Sequence, residues 1–316
     1  MSAECSRSGR TFSIVVPVYQ NEASLNDTIP RLLALRGRLP GFRLELVLVD
    51  DGSRDQSLDI ARAHIDGHRG VIRAIKLTRN FGQTAAIQAG LHHATGDCVG
   101  IISADLQESP EMFVEMIAAW ERGGRFVIGE RRARAEGPLH RWMSGIYWHL
   151  IRRYAFADFP QMGYDFCLLD RQVVDDINRI NEKNSSIFVL IYWLGYRPVR
   201  LPIDRGARTL GRSQWRLGKK ISFTVDMLIG FTYVPVHLIA VMSFSLASLS
   251  LGYLMFAFAS WFLRRAAPPG WMTQIALLTL LGALISFALG IISEYLLRIL
   301  EEARKRPPYV VEQIIE

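Results

Sequence analysis

Cysteine is scarce: Cys5, Cys98 and Cys167 are the only three in 316 residues, and no two have paired spacing. Neither a disulfide framework nor a zinc site is indicated, and a reducing compartment is expected for the globular part. Met1 to Arg10 is polar with no apolar run, so no secretory signal is expected. Internal repeats and low-complexity linkers are absent. No nucleic-acid recognition motif or aromatic–basic module is seen, so the formal charge of +7 is read toward phosphate groups or a membrane surface. A catalytic His or Cys signature is missing too; His64, His68, His92 and His93 read as surface or helix residues. Charge itself is absent from Val234 to Leu263.

Apolar runs and helical spacings alternate along the first part of the chain. Strands are expected at Phe12–Tyr19, Leu44–Ser53, Val71–Leu77 and Asp97–Gly100, where short apolar runs end in turn signals. Helices are expected at Glu22–Leu39, Asp55–His64 and Gln83–Ala94, and Phe126–Gly129 adds a further strand. This βαβαβαβ order predicts an α/β fold with a mainly parallel sheet and right-handed crossovers.

Ligands in such a sheet collect beyond the carboxyl ends of the strands. Ile101-Ile-Ser-Ala-Asp-Leu-Gln-Glu-Ser-Pro110 puts Asp105 and Gln107 at one such end, before a helix beginning near Pro110. Two oxygen donors there suit Mg²⁺ or Mn²⁺, while the alternative is that Asp105 caps that helix. Asp50-Asp51-Gly52-Ser53 closes another strand, and acids followed by glycine also make ordinary turns. Asp165, before Leu168, reads as a helix-cap aspartate or a polar member of the site.

From about Pro138 the character changes. Leu139–Phe156 and Ser213–Phe231 mix aromatics with arginine or lysine, the style of helices lying in a membrane interface or at an inter-domain contact. Val234–Leu263 exceeds the roughly 20 apolar residues that cross a bilayer. Trp271–Leu297 reads as a second span, interrupted only by Glu294. Basic residues flank the pair (Arg205 to Lys220, then Arg298 to Arg306), and the connecting loop holds only Arg264 and Arg265. The positive-inside rule therefore places both termini in the cytoplasm. The domain reading is a cytoplasmic catalytic domain over 1–212 with a possible interfacial helix at 139–156. A juxtamembrane amphipathic helix at 213–232, a transmembrane hairpin at 233–297 and a cytoplasmic tail at 298–316 follow. Two spans per chain suit a homo-oligomer in the membrane.

Taken together, Pro17-Val-Tyr19, Asp50-Asp-Gly-Ser53, Asn80-Phe-Gly82, Ala104-Asp-Leu-Gln107 and Gly290-Ile-Ile-Ser-Glu-Tyr295 occur in one order over about residues 12–312. In these the chain resembles family 2 glycosyltransferases of GT-A fold, specifically polyprenyl-phosphate glycosyltransferases related to dolichol-phosphate mannose synthase and bacterial undecaprenyl-phosphate glucosyltransferases. The resemblance implies an inverting transfer from a nucleoside-diphosphate sugar to a polyprenyl phosphate, with the catalytic domain on the cytoplasmic face of a bacterial inner membrane. A UDP-hexose such as UDP-glucose with undecaprenyl phosphate is the preferred pair, and GDP-mannose with dolichyl phosphate the nearest variant. A catalytically weak scaffold that binds lipid phosphate is the reading from another class. By resemblance Pro17, Tyr19, Glu22, Asp51 and Ala104 hold the nucleotide, Asp105 and Gln107 the metal, and Arg131 the acceptor phosphate. Ser144 matches a serine with the same job as Arg131, beside His140 or Arg141, and Arg208 belongs to a loop that closes over the donor.

Four departures stand out. Ser103 replaces the first acid of Asp-x-Asp, Gln214 a frequent lysine and Cys167 a frequent arginine, and one residue is inserted between Tyr19 and Glu22. Mg²⁺ needs only one or two carboxylates when substrate phosphates complete its shell, so the serine weakens the metal site without abolishing it.

Overall fold

A computed structural model describes residues 9–131, 156, 158–160, 163–180, 182, 185–203, 234–264 and 270–316. The expected helices at Leu139–Phe156 and Ser213–Phe231 lie outside this set almost entirely, as do Arg141, Ser144 and Arg208. The chain divides into two compact units, one running to Lys219 and resuming at Pro307–Glu316, the other spanning Lys220–Arg306.

The first unit is built on an eight-stranded sheet: β1 (Arg10–Val18), β2 (Phe42–Asp50), β3 (Ile72–Leu77), β4 (Cys98–Ile101), β5 (Phe126–Arg131), β6 (Cys167–Asp170), β7 (Val199–Ile203) and β8 (Val311–Ile315). Their order across the sheet is β7-β5-β6-β4-β1-β2-β3-β8. The first four strands pair in parallel, as do β5 and β7, while β6 runs antiparallel between β4 and β5. Asp165 therefore precedes a strand rather than a helix. The helix-capping aspartate is Asp170, whose carboxylate accepts a hydrogen bond from Gln172 N at 3.0 Å.

Alternation in β1 and β2 gives each face its own helices. Phe12, Ile14, Val16, Leu46 and Leu48 join one core with Leu25, Ile29 and Leu32 of α1 (Glu22–Leu33), Ala61 and Ile65 of α2 (Ser57–Gly67) and Phe113 of α4 (Met112–Glu121). Val15 and Val49 face the other way, onto α3 (Gln83–His93). The approach there is close: a Cβ on Gly90 would stand 2.3 Å from a Val15 methyl, so only glycine admits this helix. Where a single helix was expected to run to Leu39, α1 ends at Leu33 and a 3₁₀ turn, Ala34–Gly37, follows. The helices α5 (Arg171–Ile177) and α6 (Ile187–Trp193) complete the unit.

The second unit holds two long helices, α7 (Val234–Arg264) and α8 (Trp271–Ala303). Among the described residues one stretch, Leu280–Leu297 of α8, is long and apolar enough to cross a bilayer, and none of it is buried. A shorter apolar stretch, Val241–Tyr253, lies in α7. Residues 298–316 are more than a tail: α8 continues to Ala303, and Val311–Ile315 re-enters the sheet of the first unit as β8, antiparallel to β3.

Candidate active site

The strand order reverses at β1. Its neighbours are β2 on one side and β4 on the other, so the connections leaving β1 and β4 diverge and open a crevice at their carboxyl ends. Tyr19 follows β1, Asp51 follows β2 and Asp105 follows β4, all at this edge. β5 runs parallel to β4, because both are antiparallel to β6, and Arg131 ends it at the same edge. The topology thus brings Tyr19, Asp51, Asp105 and the backbone of Arg131 to one rim of the sheet.

On the β2 side, Asp50 and Asp51 are each only 3% exposed. The Asp51 carboxylate accepts hydrogen bonds from Phe81 N at 2.7 Å and Gly82 N at 2.9 Å. It thereby fixes the loop between β3 and α3 against the end of β2. Gly52 follows with φ +68°, and a Cβ there would meet the Arg79 carbonyl carbon at 2.6 Å, so turn and loop interlock. Burial raises the Asp51 pKa, the Phe81 and Gly82 amides oppose the rise, and the neighbouring Asp50 charge adds to it. Asp50 is also raised by burial, eased by Ser53, raised again by Asp55 and eased by Lys76. Its Oδ1 accepts from Ser53 N at 3.3 Å, while Oδ2 is buried with no hydrogen-bond partner among the described residues.

On the β1 side, Pro17 lies in the strand and Tyr19 N donates to Asn21 Oδ1 at 2.9 Å. Gln20, in the segment between Tyr19 and Glu22 that carries the insertion, takes φ 53° and donates its amide to Ser53 Oγ at 3.0 Å. Glu22 is engaged with the start of α2: its carboxylate accepts from Gln56 N at 3.1 Å, and its own amide donates to Asp55 Oδ2 at 3.1 Å. The β1 and β2 loops are in this way tied to each other before any ligand arrives.

On the β4 side, Ala104 is buried and its carbonyl accepts from Thr28 Oγ1 of α1 at 2.8 Å. Leu106 has φ 47° and its amide meets Ser103 O at 3.4 Å, a tight turn that carries Asp105 and Gln107. A leucine in the left-handed region costs energy, and such strain gathers at functional sites. The Ser103 hydroxyl lies 2.6 Å from Asp105 Oδ1 and 3.2 Å from Glu108 Oε2. Having one proton, it donates to one carboxylate at a time. Asp105 does not cap α4, which starts only at Met112 with Glu111 as its N-cap.

Glu108, absent from the expected site residues, is 1% exposed and accepts from the Ser103 hydroxyl at 3.2 Å. An acid three residues after Asp105 was the signal, masked by its position just before Ser109-Pro110. The amides of Phe81 and Gly82 are likewise absent from that set, because nothing local marks a backbone N–H as the partner of an acid some 30 residues earlier. Cys167 sits at 0% exposure in the middle of the sheet, paired with Ile101 and Ile128, and burial pushes its thiol pKa up.

The donor set at the β4 turn fits a hard divalent cation. Asp105 and Gln107 are partly exposed oxygen donors on one turn. Among the described residues no three acids, histidines or cysteines form a preformed cage. Magnesium-type sites that keep water and substrate phosphate in the shell need no such cage.

A mainly parallel α/β sheet with acidic turns at its order reversal is the layout of a GT-A glycosyltransferase. The chain belongs to glycosyl transferase family 2, whose family model matches residues 13–177. It is 31% identical over 305 residues to the Bacillus subtilis glycosyltransferase YkcC, covering 96% of this chain and 93% of that one. It is also 31% identical over 312 residues to the undecaprenyl-phosphate 4-deoxy-4-formamido-L-arabinose transferase of Shewanella sediminis, covering 96% and 92%. Among solved structures it resembles glucosyl-3-phosphoglycerate synthase from Mycobacterium tuberculosis, crystallised with Mn²⁺, UDP and glucosyl-3-phosphoglycerate. That match has a TM-score of 0.50 at 18% identity and covers 70% of this chain and 79% of that one. The protein is therefore a family 2 glycosyltransferase with polyprenyl-phosphate glycosyltransferases among its relatives.

Proposed function

We propose that this enzyme transfers a hexose from a nucleoside-diphosphate sugar, with UDP-glucose the favoured donor type, to a polyprenyl phosphate such as undecaprenyl phosphate at the cytoplasmic face of a membrane. The observation that carries this reading is the placement of Asp51 and Asp105 on either side of β1, where the strand order reverses. Base and ribose would lie along Pro17, Tyr19 and Asp51, with Glu22 and Ala104 lining the same stretch. Asp105 and Gln107 would hold Mg²⁺ or Mn²⁺, which when bound neutralises the charge that develops on the departing diphosphate.

The remaining chemistry asks little of a base. A lipid monophosphate has a second pKa of about 6 and is largely ionised near neutral pH. Its oxygen can attack the anomeric carbon directly, with inversion, once held in line. Holding it is the role we give Arg131, shared with Ser144 and Arg141, while Arg208 would belong to a loop that closes over the donor. The isoprenoid tail cannot leave the bilayer, which gives α7 and α8 a purpose as a membrane hairpin. The apolar Leu280–Leu297 stretch supports this reading, and the basic flanks support cytoplasmic termini by the positive-inside rule.

The test is product formation by purified full-length protein in detergent, with radiolabelled UDP- and GDP-sugars, polyprenyl phosphate and either metal. Lipid-linked sugar that disappears in Asp105→Ala supports the assignment. Tight lipid-phosphate binding without product from any donor would make the protein a scaffold instead.

A further inference from the structure

The strand β8 does more than lengthen the sheet. It follows the two long helices in sequence, yet it pairs with β3, whose far end runs directly into the loop that Asp51 holds. The register is Ala74 with Ile315, Ile75 with Ile314 and Lys76 with Gln313, then an irregularity before Leu77 with Val311. One residue further on, Thr78 N donates to Val310 O at 3.0 Å. The next residues are Arg79 to Gly82. Arg79 backs onto Gly52, its guanidinium lies 4.7 Å from the centre of the Phe81 ring, and Phe81 and Gly82 give their amides to Asp51. The loop is thus held by the β2 turn at its end and by the returning chain at its start.

Charge reinforces the pairing. Lys76 lies beside Asp50 in the β2–β3 register, and its ammonium is 2.8 Å from Glu312 Oε1. Asp50, Lys76 and Glu312 therefore alternate in sign across three adjacent strands. Arg73 Nε reaches Glu316 at 2.7 Å, and Arg62 Nη2 reaches Gln313 Oε1 at 3.3 Å.

We propose that residues 310–316 are a positioning element of the donor-nucleotide site. By pairing with β3 they hold its carboxyl end, and hence the Arg79–Gly82 loop, against the Asp50-Asp51-Gly52 turn. Without them β3 becomes an edge strand and Thr78 N loses its acceptor, so the strand end frays from the side that feeds the loop. Asp51 then stands buried beside Asp50 without its two amide donors, a costly state that rearrangement of the turn relieves. The inference rests on reading the Asp51 turn as the nucleotide site.

Two variants compared with wild type test it: deletion of residues 309–316, and the double charge reversal Glu312→Lys with Glu316→Lys in the full chain, which alters only exposed side chains. Hydrogen exchange is followed across the sheet, and UDP and GDP affinities are measured by calorimetry. In both variants we expect exchange at Phe81 and Gly82 to accelerate and nucleotide Kd to rise, each roughly tenfold. Amides in β4 and α4 keep their protection. A synthetic peptide of residues 307–316 restores both quantities in the deletion. Unchanged exchange and affinity in the charge-reversal variant overturn the proposal, as does a loss of protection spread evenly through the sheet. Should the deletion fail to fold, the charge reversal decides alone. If wild type binds neither nucleotide, the site reading fails, while exchange at Phe81 and Gly82 still reports whether the strand holds the loop.

Discussion

The hydroxyl of Ser103 is 2.6 Å from Asp105 Oδ1, so the residue that stands where the resembled Asp-x-Asp pattern has its first acid acts as a hydrogen-bond donor to the second. The same hydroxyl reaches Glu108 at 3.2 Å and mediates between two carboxylates in a turn already strained at Leu106. Ser103→Ala removes that donor while leaving the backbone intact. A hydrogen bond to a charged group is worth about 1.5–3 kcal/mol, so kcat/KM at saturating metal should fall about tenfold or more. Steady-state kinetics with melting as the control checks this, and an unchanged kcat/KM would make the contact incidental.

Asp51→Ala strands the Phe81 and Gly82 amides, and Gly52→Ala forces a methyl into the Arg79 backbone at a φ of +68°. Each change should cost about 1–3 kcal/mol of stability and weaken nucleotide binding. Denaturant titration and calorimetry on the same preparations measure both. Wild-type affinity in either variant would detach the β2 turn from the donor site.

Asp50 makes a pH prediction. Its pKa is raised in the folded state, chiefly by burial, so the folded protein binds this proton more tightly than the unfolded chain. Stability from this group is therefore greatest below the ordinary aspartate value of 3.8 and declines as pH rises through the raised one. Asp50→Asn removes the charge, and its melting temperature should exceed that of wild type at neutral pH. The two should converge as pH falls below 3.8. A gap that persists at low pH would assign the effect to packing.

Arg131 ends β5 at the same rim as the two acidic turns, and acceptor binding is the role we propose for it. Arg131→Ala should raise KM for polyprenyl phosphate at least tenfold, the loss of about 1.5–3 kcal/mol of charged hydrogen bonding. Donor Kd should stay fixed. Weakening of donor binding alone would move Arg131 to the other substrate.

Much of this was legible because it is local. Ile14–Val16 and Leu46–Val49 announce buried strands by composition, and βα alternation fixes their parallel order, so the acids of 50–51 and 105 had to emerge at one edge. What stayed hidden depends on distant pairing. The antiparallel Cys167–Asp170 strand, four residues long, is placed by β4 and β5 rather than by its own pattern. Val311–Ile315 reads as tail because its glutamate and glutamine interrupt the apolar run; only the edge of β3 makes it a strand. Leu106 gives no local hint of a positive φ, and Glu108 no hint that it turns inward.

Because β8 comes after both long helices in the sequence, a ribosome makes it later than they are made. While α7 and α8 are being synthesised, β3 stands with one flank bare, and a bare flank invites pairing with a neighbouring nascent chain. Sealing of that flank is a late event in biogenesis, so messages truncated after α8 should yield protein that clumps rather than merely underperforms.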